Sequence, residues 1–483
     1  YLFQKYIYYR LDEIQRSSLH GQVGTQMESM VGENRSGYAV QLARHFHLAN
    51  RPKKALTYYA LAGESAVRMS AYTEAINHYE SAVTMLKSLP KDPANDQKEL
   101  DLQLQLGLAY QATMGYANEN VGLAYQRAWE LCLTAGDTNK QINTIQLLFS
   151  YYANIADFKR AEKLLGILEK DYTQLDKVPT QLALELHLGH TYLDSIFGRH
   201  QAISDRFQQA INYCDQFVQH TASSWVGLEP RIFCHGWAGL HQNWLGYPEK
   251  AQAHIQSMLE IAKASHSNLY TKDALWFSAW ISMELEDIDS AREYTEGMLA
   301  LCINEHYFLY EGVARIFKGR LASWDGKHHV AVEQIHRGLD MYYQTGIKTF
   351  KPDWLFFLAE VYYAAGQIDE GLAVIADAEK IVKKSGQGRY KSALQQVKGD
   401  LYQQIGSEID AEDAYLHAIA IAREENTKLF ELKAAIRLAH LWGRRGKSSQ
   451  AKEMLQGIYV WFGNELDIPI LQEARELTYA LTL

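Results

Sequence analysis

Apolar residues recur at three- and four-residue spacing through most of the chain, in stretches of a dozen or more positions broken by a turn. Around Gly366 the pattern is clear. Trp354 to Ala364 places Leu355, Leu358, Ala359 and Tyr362 on one face behind the start signal Pro352, which predicts a helix. Ile368, Leu372, Ile375, Ala378 and Ile381 continue the spacing in a second helix that stops near Gly386. Gly366 and Gln367 form the turn between them, where glycine supplies the left-handed conformation that ends a helix without Cβ strain. The same unit returns as Leu394 to Gln404 with Ile409 to Ala422, and as Leu432 to Trp442 with Ala451 to Val460. No stretch alternates with the two-residue period of a strand between turn signals, so the pattern predicts an all-α chain.

The unit keeps a grid of 40 residues: Gly246, Gly326, Gly366, Gly406 and Gly446 share one phase, and Glu286 fills the remaining grid point. Seven residues before each point stand Gly239, Ala279, Gly319, Ala359, Gly399 and Ala439; five after it stand Ala251, Ala291, Ala331, Gly371, Ala411 and Ala451. Such self-similarity predicts a solenoid whose unit cannot bury its apolar face alone. Helix axes that approach to ~8–10 Å need small residues at the crossing. These two positions are therefore expected where the first helix of a hairpin meets the second. The amino-terminal half is less regular, with turns expected at Ser70, near Gly115, at Ala156 and at Gly198. Extra length over Asp215 to Pro230 reads as a surface loop, either functional or a plain insertion. Ile470 to Leu483 reads as a closing helix.

Several stretches carry a family signature. Leu106-Gly107-x-x-Tyr110, Leu188-Gly189-x-x-Tyr192 and Leu438-Ala439-x-x-Trp442, with Ala75-x-x-x-Tyr79-x-x-Ala82 and Ala411-x-x-x-Tyr415-x-x-Ala418, resemble the two helices of the tetratricopeptide repeat. The period is longer than that repeat's usual one, which leaves HEAT-like repeats as the rival; the glycine phase favours the tetratricopeptide type. The resemblance implies a right-handed α-solenoid. Met114-Gly115-Tyr116-Ala117 leading into Ala124 to Cys132, Leu245-Gly246-Tyr247-Pro248, Gly366 to Ala373 and Ile458 to Phe462 are in turn similar to the carboxy-terminal helical region of bacterial signalling ATPases, often fused behind a class III adenylate/guanylate cyclase. That resemblance implies a regulatory arm, with an ATPase or cyclase module upstream in cis and no catalysis within these residues. On this reading residues 1–36 are a remnant of a winged-helix-like region, without the usual arginine density around Arg16 to His20. Residues 37–214 form an irregular sub-array, 215–230 a connecting loop and 231–483 the regular array. The start at Tyr1 rather than Met fits a piece of a longer protein.

Composition narrows the partners. The 483 residues are 47% hydrophobic, enough for a core, and 48 basic against 57 acidic residues give a net charge of −9 with both signs scattered. Nothing in this balance attracts nucleic acid. Cys132, Cys214, Cys234 and Cys302 form no C-x-x-C pair, which reads as reduced thiols of a cytoplasmic protein. No apolar run approaches the ~20 residues that span a bilayer.

Candidate chemistry is sparse. Trp442-Gly443-Arg444-Arg445-Gly446-Lys447-Ser448 ends like a phosphate loop, but Leu441 stands where the first glycine is needed and the segment follows a helix. Histidines at 45 and 47, 187 and 190, and 328 and 329 lack metal-ligand spacing. No catalytic signature and no cofactor motif is present. One position changes chemistry while its neighbours stay constant: six residues before the grid points the chain reads Leu240, Trp280, Arg320, Glu360, Asp400 and His440. If the first helices line an inner wall, as in the family, Trp276, Trp280, Arg320, Phe356, Glu360, Asp400 and His440 form a groove for a protein or peptide, with aromatics supplying burial and charges setting register. The competing reading is a solvated face free to vary. The expected function is a non-catalytic interaction or sensor scaffold. The alternatives are a stand-alone adaptor and an enzyme with a pocket beside the 215–230 loop.

Overall fold

The computed structural model describes residues 6, 8–32, 34–135, 137–172, 180–217, 229–462 and 468–481. Among them are twenty-three α-helices and one short 3-10 helix, with no strand. The helices form two compact units, residues 1–155 and 156–483. No helix among the described residues is long and apolar enough to cross a membrane.

The first unit contains α1 (Glu13–Val31), α2 (Ala39–Leu48), α3 (Pro52–Arg68), α4 (Tyr72–Lys87), α5 (Pro93–Met114), α6 (Glu119–Ala135) and α7 (Thr138–Asn154). Asp12 and Gln15 close a capping box at the start of α1. Hairpins α3–α4 and α5–α6 pack by one device: the rings of Tyr79 and Tyr125, both buried, lie where a Cβ on Gly63 or Gly107 would stand.

The second unit contains α8 (Phe158–Tyr172), α9 (Thr180–Phe197), α10 (His200–Phe217), α11 (Pro230–Trp244), α12 (Pro248–Ser265), α13 (Asn268–Glu284), α14 (Ile288–Asn304), α15 (Phe308–Trp324) and α16 (His328–Gln344). It continues through α17 (Lys351–Ala364), α18 (Ile368–Ser385), α19 (Lys391–Gln404), α20 (Glu408–Glu424), α21 (Lys428–Arg444), α22 (Ser448–Phe462) and α23 (Pro469–Ala480). From α11 onward the odd-numbered helices are the first of each hairpin and the even-numbered the second. Of the expected loop over 215–230, residues 215–217 end α10, Glu229 caps α11 and Pro230 begins it, while 218–228 lie outside the described residues. The closing helix α23 buries Leu471 and Ala474 against the last hairpin.

Every grid position has positive φ: Gly246, Gly326, Gly366, Gly406 and Gly446, and also Glu286 at 61°. So do the midpoints His266, His306, Gly346, Gly386 and Asn426, which reveals a step of twenty residues between left-handed turns. At most of these turns the next residue's N–H reaches back five positions, as from Lys327 to Ala322 (2.9 Å), Gln367 to Tyr362 (2.9 Å) and Lys447 to Trp442 (2.8 Å). This is the 6→1 bond of a Schellman stop, and it ends each of those helices at a fixed place in the repeat.

All twelve small positions are buried. A Cβ on Gly319 would stand 2.5 Å from Cγ1 of Ile335 and 2.8 Å from the Ala331 carbonyl oxygen, so α15 and α16 meet nearly backbone to backbone. On Gly399 it would stand 2.5 Å from the Tyr415 ring of α20. Gly239 and Gly371 instead make room for Ile281 and Leu401 of the following hairpin, so the small positions serve contacts between hairpins as well as within them.

Two substitutions separate the roles. Gly366 has no atom within 4 Å of a Cβ, so Gly366→Ala meets conformational strain alone and should lower unfolding free energy by about 1–2 kcal/mol. Gly399→Leu meets the Tyr415 ring and should cost about 1–3 kcal/mol by overpacking, with local rearrangement. Chemical denaturation of each variant checks the values.

Candidate functional site

The second unit closes on itself. Segments 194 positions apart meet where Arg389 Nε donates to the Ser195 carbonyl at 3.2 Å, and Gly388 N–H donates to the Ile196 carbonyl at 2.8 Å. A Cβ on Gly198 would stand 3.0 Å from the Gly388 carbonyl oxygen, so both chains must be slim here. Trp244 of α11 likewise stacks on Phe430 of α21 at 5.9 Å.

This closure fills the interior with aromatic rings. Trp237, Trp280 and Trp354 are fully buried with Phe350 beside them, and the Arg389 guanidinium lies 4.4 Å from the Trp237 ring centre and 5.0 Å from that of Phe350. Its formal counter-charge is Asp353, 3.5 Å away, whose carboxyl is pushed up to about 6 by burial, with Arg389 pulling the other way.

Beside the aromatic core lies a polar cavity of about 170 Å³, to which α15, α17, α19, α21, α23 and the end of α13 all contribute. Glu284 is its hub. It accepts from Trp244 Nε1 (3.2 Å), Tyr390 Oη (3.0 Å) and Arg320 Nη1 (2.9 Å), and Tyr390 in turn accepts from Trp280 Nε1 (2.9 Å). Arg320 also pairs with Glu360 through Nε at 2.9 Å. Burial works against the charge on Arg320, but Glu360 and Glu284 outweigh it and hold the guanidinium protonated. Burial raises Glu360 above the ordinary carboxylate range despite Arg320. At the mouth, Lys433 pairs with Glu286 at 2.7 Å and depresses its carboxyl. Arg437 stands 3.7 Å from both Asp400 and Glu473, and Glu473 lies 3.7 Å from His440. Charged groups of both signs thus face one small space, whose lining contains no Ser, Thr, Cys or His.

Of the residues singled out from the sequence, Arg320, Glu360 and Phe356 line this cavity; Asp400 reaches it through Arg437, and His440, exposed, through Glu473. Trp276 and Trp280 do not stand on an open wall. Trp276 is 6% exposed and stacks on Phe277, and Trp280 is enclosed between Trp237 and Trp354. Sequence reasoning missed Glu284, Lys433, Arg437 and Glu473. The available signal was Lys433 and Arg437, two cations four residues apart on one helix, a repulsive spacing that nearby anions relieve. Glu286 was visible as the grid's exception without a reason. The reason is its ion pair with Lys433, which offsets a left-handed backbone that glycine would adopt freely.

The phosphate-loop look-alike is the α21–α22 turn, where Lys447 pairs with Glu412 at 2.8 Å. Among the described residues no group of three His, Cys, Asp or Glu side chains converges as a metal site.

The Rap protein, solved in complex with competence and sporulation factor, superimposes with a TM-score of 0.55 over 77% of this chain and 98% of its own, at 13% identity. The fold is a tetratricopeptide-like helical solenoid. No described protein family matches the chain. An uncharacterized protein of Rhizobium meliloti is 21% identical over 449 residues, 90% of this solenoid but 42% of the relative, so the solenoid spans less than half of that protein's length. A signal-transduction ATPase with numerous domains and a tetratricopeptide repeat sensor, from Pyrococcus horikoshii, overlaps 92% of the solenoid at 14% identity with a TM-score of 0.38.

Arg320→Ala leaves Glu284 and Glu360 without their cation and should lower unfolding free energy by about 3–5 kcal/mol. Lys380→Ala, at an outward pair in which Lys380 is 76% exposed, should leave it nearly unchanged. Glu286→Gly relieves strain and loses the Lys433 pair, so its thermal midpoint should move by less than that of Arg320→Ala.

Proposed function

We propose that this solenoid is a non-catalytic protein-interaction scaffold, the regulatory arm of a larger cytoplasmic signalling ATPase or nucleotide cyclase. Its ligand is a protein or peptide segment that lies along the inner wall of the second unit and places a charged side chain in the cavity between Arg320, Glu360, Lys433 and Arg437. The observation that carries this reading is the convergence on one cavity of residues from the series that changes chemistry from repeat to repeat. Asp400 and His440 adjoin it through Arg437 and Glu473, and Trp280 braces it through Tyr390 and Glu284. The Rap protein, which shares the fold, was solved with a bound factor, and the relative more than twice as long as this chain leaves room for a further module.

In this reading a partner acts by population shift. It biases an upstream module only as far as it binds two states of the solenoid with different affinity. A stand-alone adaptor is the second reading, and the two part on the full-length gene: an ATPase or cyclase module encoded upstream of Tyr1 supports the first.

The test is capture of partners by the intact protein, with affinity then measured on the purified pair. Lys433→Glu with Arg437→Glu should weaken binding by at least about tenfold, or ~1.4 kcal/mol, whereas charge reversal at the outward Lys380 should not change it. Unchanged affinity in the double variant, with the fold intact by circular dichroism, removes the cavity from the binding surface.

A further inference from the structure

One tyrosine device recurs in both units with different partners. A Cβ on Gly399 would meet Cε1, Cδ1 and Cζ of Tyr415, and a Cβ on Gly63 would meet the same three atoms of Tyr79 in the same order of distance. In the second unit the Tyr415 hydroxyl lies 2.7 Å from Asp400 Oδ1 and 3.0 Å from Gln403 Oε1, and Arg437 of the next first helix stands beyond Asp400 with Nε at 3.7 Å. Counted from the two glycines, Glu64 and Val67 of α3 occupy the places of Asp400 and Gln403. Aligning Leu106-Gly107-x-x-Tyr110 of α5 with Leu438-Ala439-x-x-Trp442 of α21 puts Asp101, Leu104 and Gln105 in the places of Lys433, Ile436 and Arg437. These five residues and Tyr79 line a pocket of about 420 Å³ in the first unit. Where the second unit has a guanidinium, this pocket has none.

The groups that the guanidinium would serve are left over. Tyr79 is 1% exposed, yet its hydroxyl has no hydrogen-bond partner. Val67 cannot accept from it as Gln403 does from Tyr415, or as Gln111 does from Tyr125 at 3.2 Å in the next hairpin. Burial, with Glu64 adding to it, pushes the Tyr79 hydroxyl up to about 12, so it keeps its proton and needs an acceptor. Glu64 and Gln105, exposed at the rim, have no ion pair and no side-chain hydrogen bond among the described residues. Nearby cations are committed elsewhere: Lys140 of α7 pairs with Asp101, and Arg68, one turn beyond Glu64, gives its Nη2 to Ser65 Oγ at 2.8 Å. Acceptors dominate the lining, and no cation belongs to it.

We propose that this pocket receives an arginine side chain carried by a segment of a partner protein, whose guanidinium takes the place that Arg437 fills in the second unit. Val67 and Leu104 supply an apolar bed for the alkyl stem. Glu64, one methylene longer than Asp400, turns inward to accept from Tyr79 as Asp400 accepts from Tyr415, and pairs with the incoming guanidinium. The side-chain carbonyl of Gln105 accepts a further N–H of the same fork. The cation of the second unit is delivered by a neighbouring helix, and the exposed rim of Glu64, Asp101 and Gln105 leaves room for a partner's chain to deliver its own. The site uses none of the residues of the second unit's cavity.

The probe is acetyl-Gly-Arg-Gly-amide, titrated against the full chain by ligand-observed NMR. Its citrulline analogue, uncharged and of the same shape, should bind at least about tenfold more weakly, and Glu64→Gln should weaken the arginine peptide by as much. Gln105→Arg restores the missing guanidinium in cis, so it should block the peptide and raise the thermal midpoint by about 2–4 °C, whereas Gln105→Leu, or Gln105→Arg combined with Glu64→Gln, should not raise it. Lys433→Glu with Arg437→Glu should leave the affinity for this peptide unchanged, which separates the pocket from the cavity of the second unit. Equal binding of the citrulline peptide, binding that survives Glu64→Gln, or a Gln105→Arg variant that moves neither readout overturns the proposal. Spermidine that binds as tightly as the peptide, with the same dependence on Glu64, makes this a polyamine site and overturns the assignment to a protein segment.

Discussion

The second unit depends on how closely the two helices of each hairpin can approach. Where Gly319 faces Ala331 and Ile335, the separation is set by backbone rather than side chains. A left-handed stop every twenty residues ensures that each new helix enters that contact at the same register. Repetition of one crossing and one turn fixes the rotation from hairpin to hairpin. In the unit so built, α9 meets the connection between α18 and α19 along the seam of Ser195, Ile196, Gly388 and Arg389.

Closure decides what the inner wall can offer. In an open array Trp276 and Trp280 would be available to a partner. In the closed turn they are part of a core, with Trp237, Phe350 and Trp354, that holds a buried guanidinium. Burying the charge of Arg389 is expensive unless something pairs with it, and Asp353, the Ser195 carbonyl and three aromatic faces supply the compensation. What the closed interior leaves open is polar. The cavity around Glu284 and Arg320 gathers charges from successive first helices, and its volume suits one long side chain rather than a folded domain.

Much of this architecture was legible in the chain. Glycine and alanine held in phase at seven before and five after each turn can be explained by a close helix crossing and by little else, and all of them are buried. The midpoint turns were hidden because His266, His306 and Asn426 occupy left-handed positions without the glycine that would betray them. Of the series six before the grid, Arg320 and Glu360 line the cavity. Trp280 of that series, and Trp276 beside it, are enclosed by rings from other hairpins, Trp237, Phe350, Trp354 and Tyr390 among them, contacts on which periodicity carries no information. Lys433 and Glu473 stand one period apart but differ in charge, and Glu284 is out of phase with both, so the repeat alone did not gather the three.

Closure of the turn is the claim on which the cavity and the core both stand, and a distance measures it most directly. Spin labels at Arg199 and Glu424, exposed residues on opposite sides of the seam, should give a narrow distribution below about 20 Å. An open array of helices spaced ~9 Å apart would hold them well beyond 30 Å. A narrow short distance is the expected result; a broad distribution centred at the longer value would contradict the account.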